Sequence, residues 1–486
     1  MQPLRICAIA SEAAPFAKTG GLADVTGALT KYLHAHGHDV RLFVPLYGAI
    51  DRQRFPMTPA GALSGLSVQL GVHRFEYSVR TAQLPGSKAH VYFIDCPRLY
   101  ERDTIYSSGP DEHLRFLALT RAALDCCQHM GWSPQILHCH DWHAGFGPLL
   151  LKELYGWDQL LAGARSVITI HNIGYQGVFG ADKAGDLGLG DRTYLLHQDD
   201  LRAGHINSLK HGCLYADAIT TVSPTYAAEI RTPQFGMGLQ DVLNDRASVL
   251  TGILNGVDYD DWDPRTDRYI GEHYDPSSLQ VKARLKWKLL ARLGLKVTPD
   301  TVLAGMVSRL AVQKGIELTL GALPRLLQGH DLAFVALGAG EPRYEQGLLE
   351  LQQRFPQRVV FRQGYSEELA HWIEAASDLF LMPSQYEPCG LNQMYSLRYG
   401  TVPIVRRTGG LADSVHRYDP ATGRGTGVLF DGSTPEALGN AIQTALALHA
   451  VPRHWNRLVR NGMAEDFSWG RQGAQYVTLY RKLIGE

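Results

Sequence analysis

The sequence predicts an α/β protein made of two doubly wound domains. Short apolar runs alternate with segments of helical periodicity in both halves of the chain, which is the pattern of strand–helix–strand units in a parallel sheet. Several apolar runs end in polar residues, and the carboxyl ends of parallel strands are where such folds bind ligands. A stretch rich in Asp and Gly near residue 250 separates the two series.

The first series begins with the apolar run "LRICAIA", which we interpret as a buried strand. In the following segment, "LADVTGALTKYLHAHG", Val25, Leu29 and Leu33 recur at helical spacing, and Gly37 is placed to end the helix. The runs "DVRLFVP", "QILHCH", "SVITIH" and "AITTVS" continue the series as further strands. We therefore predict a first domain over residues 1–250.

The second series starts with the strand "TVLAGMVSRL" and the helix "GIELTLGALPRLL", which carries Ile316, Leu320 and Leu323 on one face. Further strands are predicted at "LAFVALGAG", "VVFRQG", "LFLMPS", "VPIVRR" and "GVLF". Thr434 followed by Pro435 is a well-formed helix start after the last of these strands. We predict a second domain over residues 251–462.

Composition excludes several classes of protein. Among 486 residues, 45% are apolar and 20% are charged, the balance of an ordinary globular protein rather than a disordered or fibrous one. Lys plus Arg is 47 and Asp plus Glu is 48, so no net charge favours nucleic acid or an anionic membrane. Seven cysteines without a C-x-x-C pair suit a reducing cytoplasm. No apolar run is long enough for a membrane helix.

Two loops are nearly identical, "KTGGLADV" at Lys18 to Val25 and "RTGGLADS" at Arg407 to Ser414. The first follows the first strand of its domain and the second follows a late strand, so a tandem duplication does not explain the repeat. Paired glycines let backbone N–H groups approach a ligand closely, which makes each loop a candidate cradle for anions or hydroxyls. The alternative for each loop is a plain tight turn into a helix.

Two further segments carry charged residues at predicted strand ends. "SRLAVQKG" places Arg309 and Lys314 where two cations could bind a diphosphate leaving group. "EPCGL" places Glu387 ahead of Gly390 and a helix near Leu391, where a carboxylate could bind sugar hydroxyls. Solvated loop cations and a helix-capping Glu are the alternatives.

A metal site is not predicted, although His138, His140 and His143 cluster in "HCHDWHAG". The first two share a strand face, whereas Asp141 resembles the N-cap of the next helix and would turn His143 elsewhere. No H-E-x-x-H, Walker loop or G-x-S-x-G is present, and "LGAGEP" lacks the third glycine of a dinucleotide fingerprint. We expect neither a metal nor another cofactor.

Taken in order, "KTGGLADV", "HCHDWHAG", "TIHNIGYQG", "SRLAVQKG", "EPCGL" and "RTGGLAD" resemble the motifs of bacterial glycogen synthases and plant starch synthases. The resemblance runs from about residue 4 to "DFSW" near residue 467. It implies the GT-B fold, with two Rossmann-like domains facing a deep cleft, the first on the acceptor side and the second on the donor side. It also implies that residues 463–486 form a helix that crosses back onto the first domain.

The resemblance implies a retaining glucosyltransferase that transfers glucose from ADP-glucose to the non-reducing end of an α-1,4-glucan such as glycogen. It assigns catalytic roles to Glu387, His171, Lys314, Arg309 and Asp141. The substrate-binding residues that it implies are Lys18, Gly20, Gly21, Tyr106, Asn172, Tyr365, Cys389, Gly390, Leu391, Thr408, Gly409 and Gly410. Among them, Tyr365 would border the nucleotide base, and "TIYSSGPDE" around Tyr106 matches the family pattern loosely.

For a covalent intermediate the sequence offers one good carboxylate candidate, Glu387, with Asp141 as a distant alternative. The lack of an obvious pair of carboxylates favours attack on the face that the phosphate leaves. Two other functions stay open at this point. One is a GT-B glycosyltransferase with a different donor or acceptor, and the other is a glucan-binding protein without catalysis.

Overall fold

The computed structural model describes residues 2–296, 298 and 300–486. The chain forms two compact units. The first unit contains the residues up to Gly256 together with Trp469–Glu486, and the second contains Val257–Ser468. The division therefore falls at Gly256 rather than at residue 250.

The first unit is built around one large sheet. The strands of the large sheet are β1 (Arg5–Ile9), β2 (Asp39–Pro45), β3 (Thr58–Pro59), β4 (Leu66–Leu70), β5 (His73–Gln83), β6 (His90–Asp95), β7 (Ile136–His140), β8 (Arg165–Ile170), β11 (Ala218–Thr221) and β12 (Leu250–Gly252). Strands β9 (Val178–Gly180) and β10 (His205–Asn207) form a separate antiparallel pair. The helices of the first unit are α1 (Gly21–Ala35), α2 (Pro97–Tyr100), α3 (Glu112–His129), α4 (Gly147–Glu153), α5 (Gln198–Arg202), α6 (Ser208–Tyr215), α7 (Pro224–Glu229), α8 (Gln240–Asp245) and, from the end of the chain, α17 (Trp469–Leu483).

The order of strands in this sheet is β12-β11-β8-β7-β1-β2-β6-β5-β3, and the pairs from β12 to β6 are parallel. Successive strands are thus added first on one side of β1 and then, from β7 onward, on the other side. Every residue of β7 is buried, as expected for a parallel strand covered on both faces. The reversal of direction between β1 and β7 is the topological switch point, outside which ligands bind in open α/β sheets.

The sequence analysis did not predict the antiparallel part of this sheet. Strand β5 pairs with β3, β4 and β6 in antiparallel fashion. Its burial alternates along most of its length, because one face packs inward and the other does not. An alternating pattern of this kind carries a weaker apolar signal than the continuous runs of the parallel strands.

The second unit contains a six-stranded parallel sheet. Its strands are β13 (Val302–Val307), β14 (Leu332–Gly338), β15 (Val359–Gln363), β16 (Leu379–Met382), β17 (Val402–Arg406) and β18 (Val428–Phe430), in the order β15-β14-β13-β16-β17-β18. Its helices are α9 (Gln280–Arg292), α10 (Ile316–Gly329), α11 (Pro342–Arg354), α12 (Glu367–Ala376), α13 (Asn392–Tyr399), α14 (Gly409–Ser414), α15 (Pro435–His449) and α16 (Pro452–Met463). Numbered within the unit, this is the Rossmann order 3-2-1-4-5-6, with its switch point between β13 and β16.

The predicted helix start after β18 is present. Thr434 is the N-cap of α15, its hydroxyl accepts the N–H of Ala437, and Pro435 is the first residue of the helix. Pro is favoured there because the N–H it lacks would have no partner in the first helical turn.

The last helix, α17, packs within the first unit. A Cβ on Gly473 would lie 2.3 Å from the ring of Tyr32 in α1, and one on Gly256 would lie 2.8 Å from the indole of Trp469. Both glycines therefore allow an aromatic ring to lie directly against the backbone. The buried hydroxyl of Tyr480 lies 2.8 Å from Nδ1 of His138 on β7, so α17 is bonded to the strand that ends at the switch point.

Among the residues described, no helix is both long and apolar enough to cross a membrane.

The Tyr480 contact predicts a stability effect. Replacing Tyr480 with Phe leaves Nδ1 of His138 buried without a donor, which should lower the free energy of unfolding by about 1–3 kcal/mol. Urea denaturation followed by circular dichroism measures this change. The matched control is Tyr32→Phe, because the Tyr32 hydroxyl has no hydrogen-bond partner within the described ranges. Equal losses in the two variants would contradict the prediction.

Candidate active site

The first loop after β1 is organised by a buried carboxylate, that of Glu12. Its Oε1 accepts a hydrogen bond of 2.6 Å from the Thr19 hydroxyl, and Oε2 accepts the Thr19 N–H. The Tyr106 hydroxyl also donates to Oε1. Glu12 therefore ties the "KTGGLADV" loop and the Tyr106 segment to the carboxyl end of β1.

Gly20 in this loop leaves open space beside the backbone. Gly20 has an extended backbone, and a Cβ built on it would meet no atom of the described residues within 4 Å. Gly21 is the first residue of α1. Lys18 makes an ion pair of 2.8 Å with Asp24 in the first turn of α1. Since the loop is held by Glu12, the backbone at Gly20 is left accessible to a ligand.

Across the switch point, Asp141 follows β7 in a strained conformation. Its φ of 54° and ψ of −171° belong to a region occupied almost only by glycine. Asp141 caps no helix with its side chain. Its buried Oδ1 instead accepts the N–H of His171 at 2.7 Å and that of Asn172 at 3.4 Å. The carboxylate thereby fixes the backbone that follows β8.

Burial raises the pKa of Asp141 to about 7, because the desolvation of its charge outweighs the two backbone hydrogen bonds that favour ionisation. The opposite shift affects the neighbouring imidazoles. Burial lowers the pKa of His140 to about 3 and also lowers the pKa of His171 well below its usual value. These histidines are therefore neutral at physiological pH.

The histidines of "HCHDWHAG" divide between two environments. His138 and His140 point to one side of β7, with ring centroids 4.0 Å apart, and Nδ1 of His140 lies 3.0 Å from Nε2 of His171. His143 instead stacks on Tyr106, with ring centroids 4.9 Å apart. In the described part of the chain, no three His, Cys, Asp or Glu side chains are grouped to hold a metal ion.

At the switch point of the second unit, Lys314 and Glu387 are in direct contact. Nζ of Lys314 donates to Oε2 of Glu387 at 2.6 Å, and the Ser384 hydroxyl donates to the same oxygen at 2.9 Å. The Glu387 side chain is 6% exposed and that of Lys314 is 18% exposed. Arg309 follows β13 as an exposed side chain. Of the charged residues predicted for the site in this unit, Lys314 and Glu387 are thus in direct ionic contact.

Gly315 makes this contact possible. It has a φ of 64°, and a Cβ at this position would lie 2.1 Å from the carbonyl oxygen of Pro383. Only glycine combines that conformation with so close an approach. The turn carrying Lys314 is thus pressed against the end of β16, which precedes Ser384 and Glu387.

The second T-G-G loop differs from the first in its surroundings. A Cβ on Gly409, whose φ is 43°, would lie 1.9 Å from the carbonyl oxygen of Glu387, and one on Gly410 would lie 2.2 Å from that of Cys389. The Gly410 N–H donates to the carbonyl oxygens of Glu387 and Pro388. These glycines are therefore required by packing, and they hold the backbone of the Glu387 segment.

The remaining predicted residues of this unit lie at related positions. Thr408 is the buried N-cap residue of α14, and Cys389 is buried. Gly390 has a φ of 73°, and Leu391 is the N-cap residue of α13. Tyr365 follows β15, is 70% exposed and donates from its hydroxyl to Glu367. Since β14 separates β15 from β13, Tyr365 lies toward the edge of this row of strand ends.

The sequence analysis missed three residues that support the site: Glu12, Ser384 and His140 as a partner of His171. Glu12 could have been found, because it is a lone carboxylate directly after a buried strand. Ser384 likewise follows closely after a buried strand, β16. The His140 contact depends on strand register, which places His140 beside Thr169, and no local pattern reveals it.

Comparisons with known proteins cover nearly the whole chain. Residues 5–245 match the family model described as starch synthase catalytic domain, and residues 291–462 match the model of glycosyl transferases group 1. The glycogen synthase of Anaeromyxobacter dehalogenans strain 2CP-C is 46% identical over 99% of this chain and 100% of its own. The glycogen synthase of Thermotoga maritima is 40% identical over 99% of both chains.

Solved structures show the same similarity. The catalytic domain of starch synthase IV from Arabidopsis thaliana, bound to ADP and acarbose, has a TM-score of 0.93 and 34% identity, with 100% of both chains covered. The sucrose-phosphate synthase of Thermosynechococcus elongatus has a TM-score of 0.62 at 19% identity, over 99% of both chains. With the parallel sheets described above, these likenesses confirm the predicted α/β fold of the GT-B class with two Rossmann-like domains.

The raised pKa of Asp141 predicts a dependence of stability on pH. An unfolded Asp ionises near pH 3.9, whereas folded Asp141 ionises near pH 7. Between these two pH values, the folded state keeps a proton on Asp141 that the unfolded state has released. Binding of this proton stabilises the folded state, and the stabilisation is lost as the pH rises through about 7. Asp141→Asn, which keeps an oxygen acceptor, should be roughly 2–4 kcal/mol more stable than the wild type at pH 8.

Near pH 4 the same variant should match the wild type, because both side chains are then neutral. Urea denaturation at a series of pH values measures the difference. A difference that does not change between pH 4 and pH 8 would show that Asp141 ionises at its ordinary pKa in the folded protein.

Proposed function

The chain belongs to the family of bacterial glycogen synthases and plant starch synthases, and from this premise we propose which of its residues transfer glucose. It is a retaining glucosyltransferase that uses ADP-glucose to elongate an α-1,4-glucan. The observation that carries the proposed assignment of residues is the pairing of half-buried Lys314 with buried Glu387 at the switch point of the second unit's Rossmann sheet.

We propose that Lys314 and Arg309 bind the diphosphate of the donor. Each follows β13, and charge on the leaving ADP grows as its bond to glucose breaks, so cations here stabilise the transition state more than the ground state. ADP is also a ligand of the Arabidopsis starch synthase, by the description of that structure. Tyr365 would border the nucleotide base.

Glu387 would accept hydrogen bonds from the glucose hydroxyls. Oε2 already receives two hydrogen bonds, from Lys314 and Ser384, so Oε1 is the oxygen left to bind a ligand. The backbone at Cys389, Gly390 and Leu391 and that at Thr408, Gly409 and Gly410 would line the same part of the site. In the absence of donor, the lysine neutralises the buried carboxylate.

In the first unit, we propose that His171 and Asn172 contact the transferred glucose and that Asp141 fixes both of them. The Lys18 loop, with Gly20 and Gly21, would approach the donor. Tyr106, whose hydroxyl donates to Glu12, would line the acceptor path. Asp141 is a poor candidate for a nucleophile, because its Oδ1 accepts two backbone N–H groups and it is half-protonated near pH 7. This supports front-face attack, in which a phosphate oxygen of the departing ADP accepts the proton of the acceptor hydroxyl.

A non-catalytic glucan-binding protein is not favoured, because the charged centre of Lys314 and Glu387 is intact. We also propose that no metal ion takes part, since Arg309 and Lys314 can neutralise the diphosphate. A cytoplasmic location is proposed as well, and it is supported by the buried thiols at all seven cysteines.

The function is tested by incubating the purified protein with glycogen and either ADP-glucose or UDP-glucose, with and without EDTA, and measuring the release of nucleoside diphosphate. We expect faster release from ADP-glucose and no effect of the chelator. Faster release from UDP-glucose would contradict the donor assignment, and no release from either would contradict catalysis. Loss of activity in EDTA that Mg²⁺ or Mn²⁺ restores would contradict the metal-free mechanism.

The role of Lys314 is tested by Lys314→Ala. Losing a charge-assisted hydrogen bond to the leaving group should lower kcat by roughly 10- to 150-fold. The matched control is Lys288→Ala, because Lys288 also pairs with a glutamate, Glu272, at 2.6 Å, but on the exposed side of α9 in the same unit. We expect this variant to leave kcat unchanged. A normal kcat in Lys314→Ala would show that the lysine serves only to neutralise Glu387.

A further inference from the structure

We propose that His140 is a positioning residue for glucose transfer, which fixes the orientation and the tautomer of His171. The inference rests on the proposed contact between His171 and the transferred glucose. It assigns a function to the buried histidines of β7, which the proposed mechanism does not otherwise use.

The contact joins the two rings directly. Nδ1 of His140 lies 3.0 Å from Nε2 of His171, within hydrogen-bond distance. His140 is 1% exposed and His171 is 8% exposed, so water does not compete freely for these nitrogens. With its Nε2 engaged by His140, the nitrogen that His171 can present to a substrate is Nδ1.

The protonation states make this hydrogen bond selective. Burial favours the neutral form of both rings, and a neutral imidazole has one N–H and one lone pair. One ring must therefore donate and the other accept. If His171 Nε2 carries the proton and donates to His140, then Nδ1 of His171 offers a lone pair to the sugar. If Nε2 accepts from His140, then Nδ1 carries the proton and offers an N–H.

His171 is thus held at two points. The Asp141 carboxylate accepts its backbone N–H, and His140 engages its ring. The first contact fixes where the residue lies, and the second fixes how its side chain is rotated. A reacting group must be held within a fraction of an ångström of its productive position for full activity.

His140 is in turn supported by His138, whose ring lies 4.0 Å away, centroid to centroid. The buried Tyr480 hydroxyl has His138 as its hydrogen-bond partner and must donate to Nδ1, because an undonated O–H would be left unsatisfied. Neutral His138 then carries its proton on Nε2 and donates to the Thr169 hydroxyl at 2.6 Å. This fixed orientation makes His138 a rigid support for His140.

The experiment compares His140→Leu with His140→Asn. Leucine fills the space without a hydrogen bond, whereas the amide of asparagine lies about where Nδ1 of histidine would be. We expect the Leu variant to lose roughly 10- to 100-fold in kcat/KM for ADP-glucose, with an unchanged Kd for ADP, and the Asn variant to recover most of the activity. Equal losses in both variants, or an equal loss of ADP affinity, would overturn the proposal.

The matched control for folding is His211→Leu. His211 is equally buried, and its ring nitrogens bond to the backbone of Asn207 and His197. We expect this variant to lower the melting temperature as much as His140→Leu does, without the loss in kcat/KM. A similar loss of kcat/KM in His211→Leu would show that the effect reports general destabilisation and would contradict the proposal.

Nuclear magnetic resonance of protein labelled with ¹⁵N-histidine tests the positioning without turnover. The signals of His171, assigned by their loss in His171→Gln, should show one tautomer in the wild type and a mixture in His140→Leu. Unchanged His171 signals in that variant would overturn the proposal, whatever the rates. Failure of the wild type to transfer glucose would contradict the proposed function alone, because the signals would still report on His140.

Discussion

The reversal of strand order in a parallel sheet is the constraint from which the candidate site follows. Where strands are added first on one side of a central strand and then on the other, the loops leaving the two adjacent strands turn away from each other. In the first unit this happens between β1 and β7, and in the second between β13 and β16. Within the first unit this topology brings Glu12 and Asp141 to neighbouring strand ends, and within the second unit it does the same for Lys314 and Glu387, although neither pair is close in sequence.

This placement costs stability, because charged groups at a switch point lose water. The protein offsets the cost in two different ways. Glu387 is paired with a lysine and accepts a hydrogen bond from a serine hydroxyl. Among the described residues, Asp141 has only backbone N–H partners. Its conformation is strained, and burial raises its pKa to about 7. Strain and desolvation concentrated at one residue are typical of a functional position.

The parallel strands could be predicted from sequence, because a strand buried on both faces is a continuous apolar run. The strand β5 could not, since its burial alternates for most of its length. The same division applies to the site. Lys314 and Glu387 stand in short motifs of their own, but their contact depends on Gly315 pressing one turn against Pro383. The support of His171 by His140 spans 31 residues, and it exists only because β7 and β8 are paired in one register.

The two T-G-G loops show how one short sequence serves two physical purposes. Around Gly20 there is open space, and a buried carboxylate keeps the loop in place. Around Gly409 and Gly410 there is none, and the glycines themselves allow the loop to lie against the backbone of residues 387–389. In the first loop, therefore, glycine leaves open space beside the backbone, whereas in the second it allows another backbone segment to pack closely. Both copies of the six-residue sequence place glycines, which have no side chain, after the end of a strand. The residues around each loop determine whether the space beside the glycines is open or filled by protein.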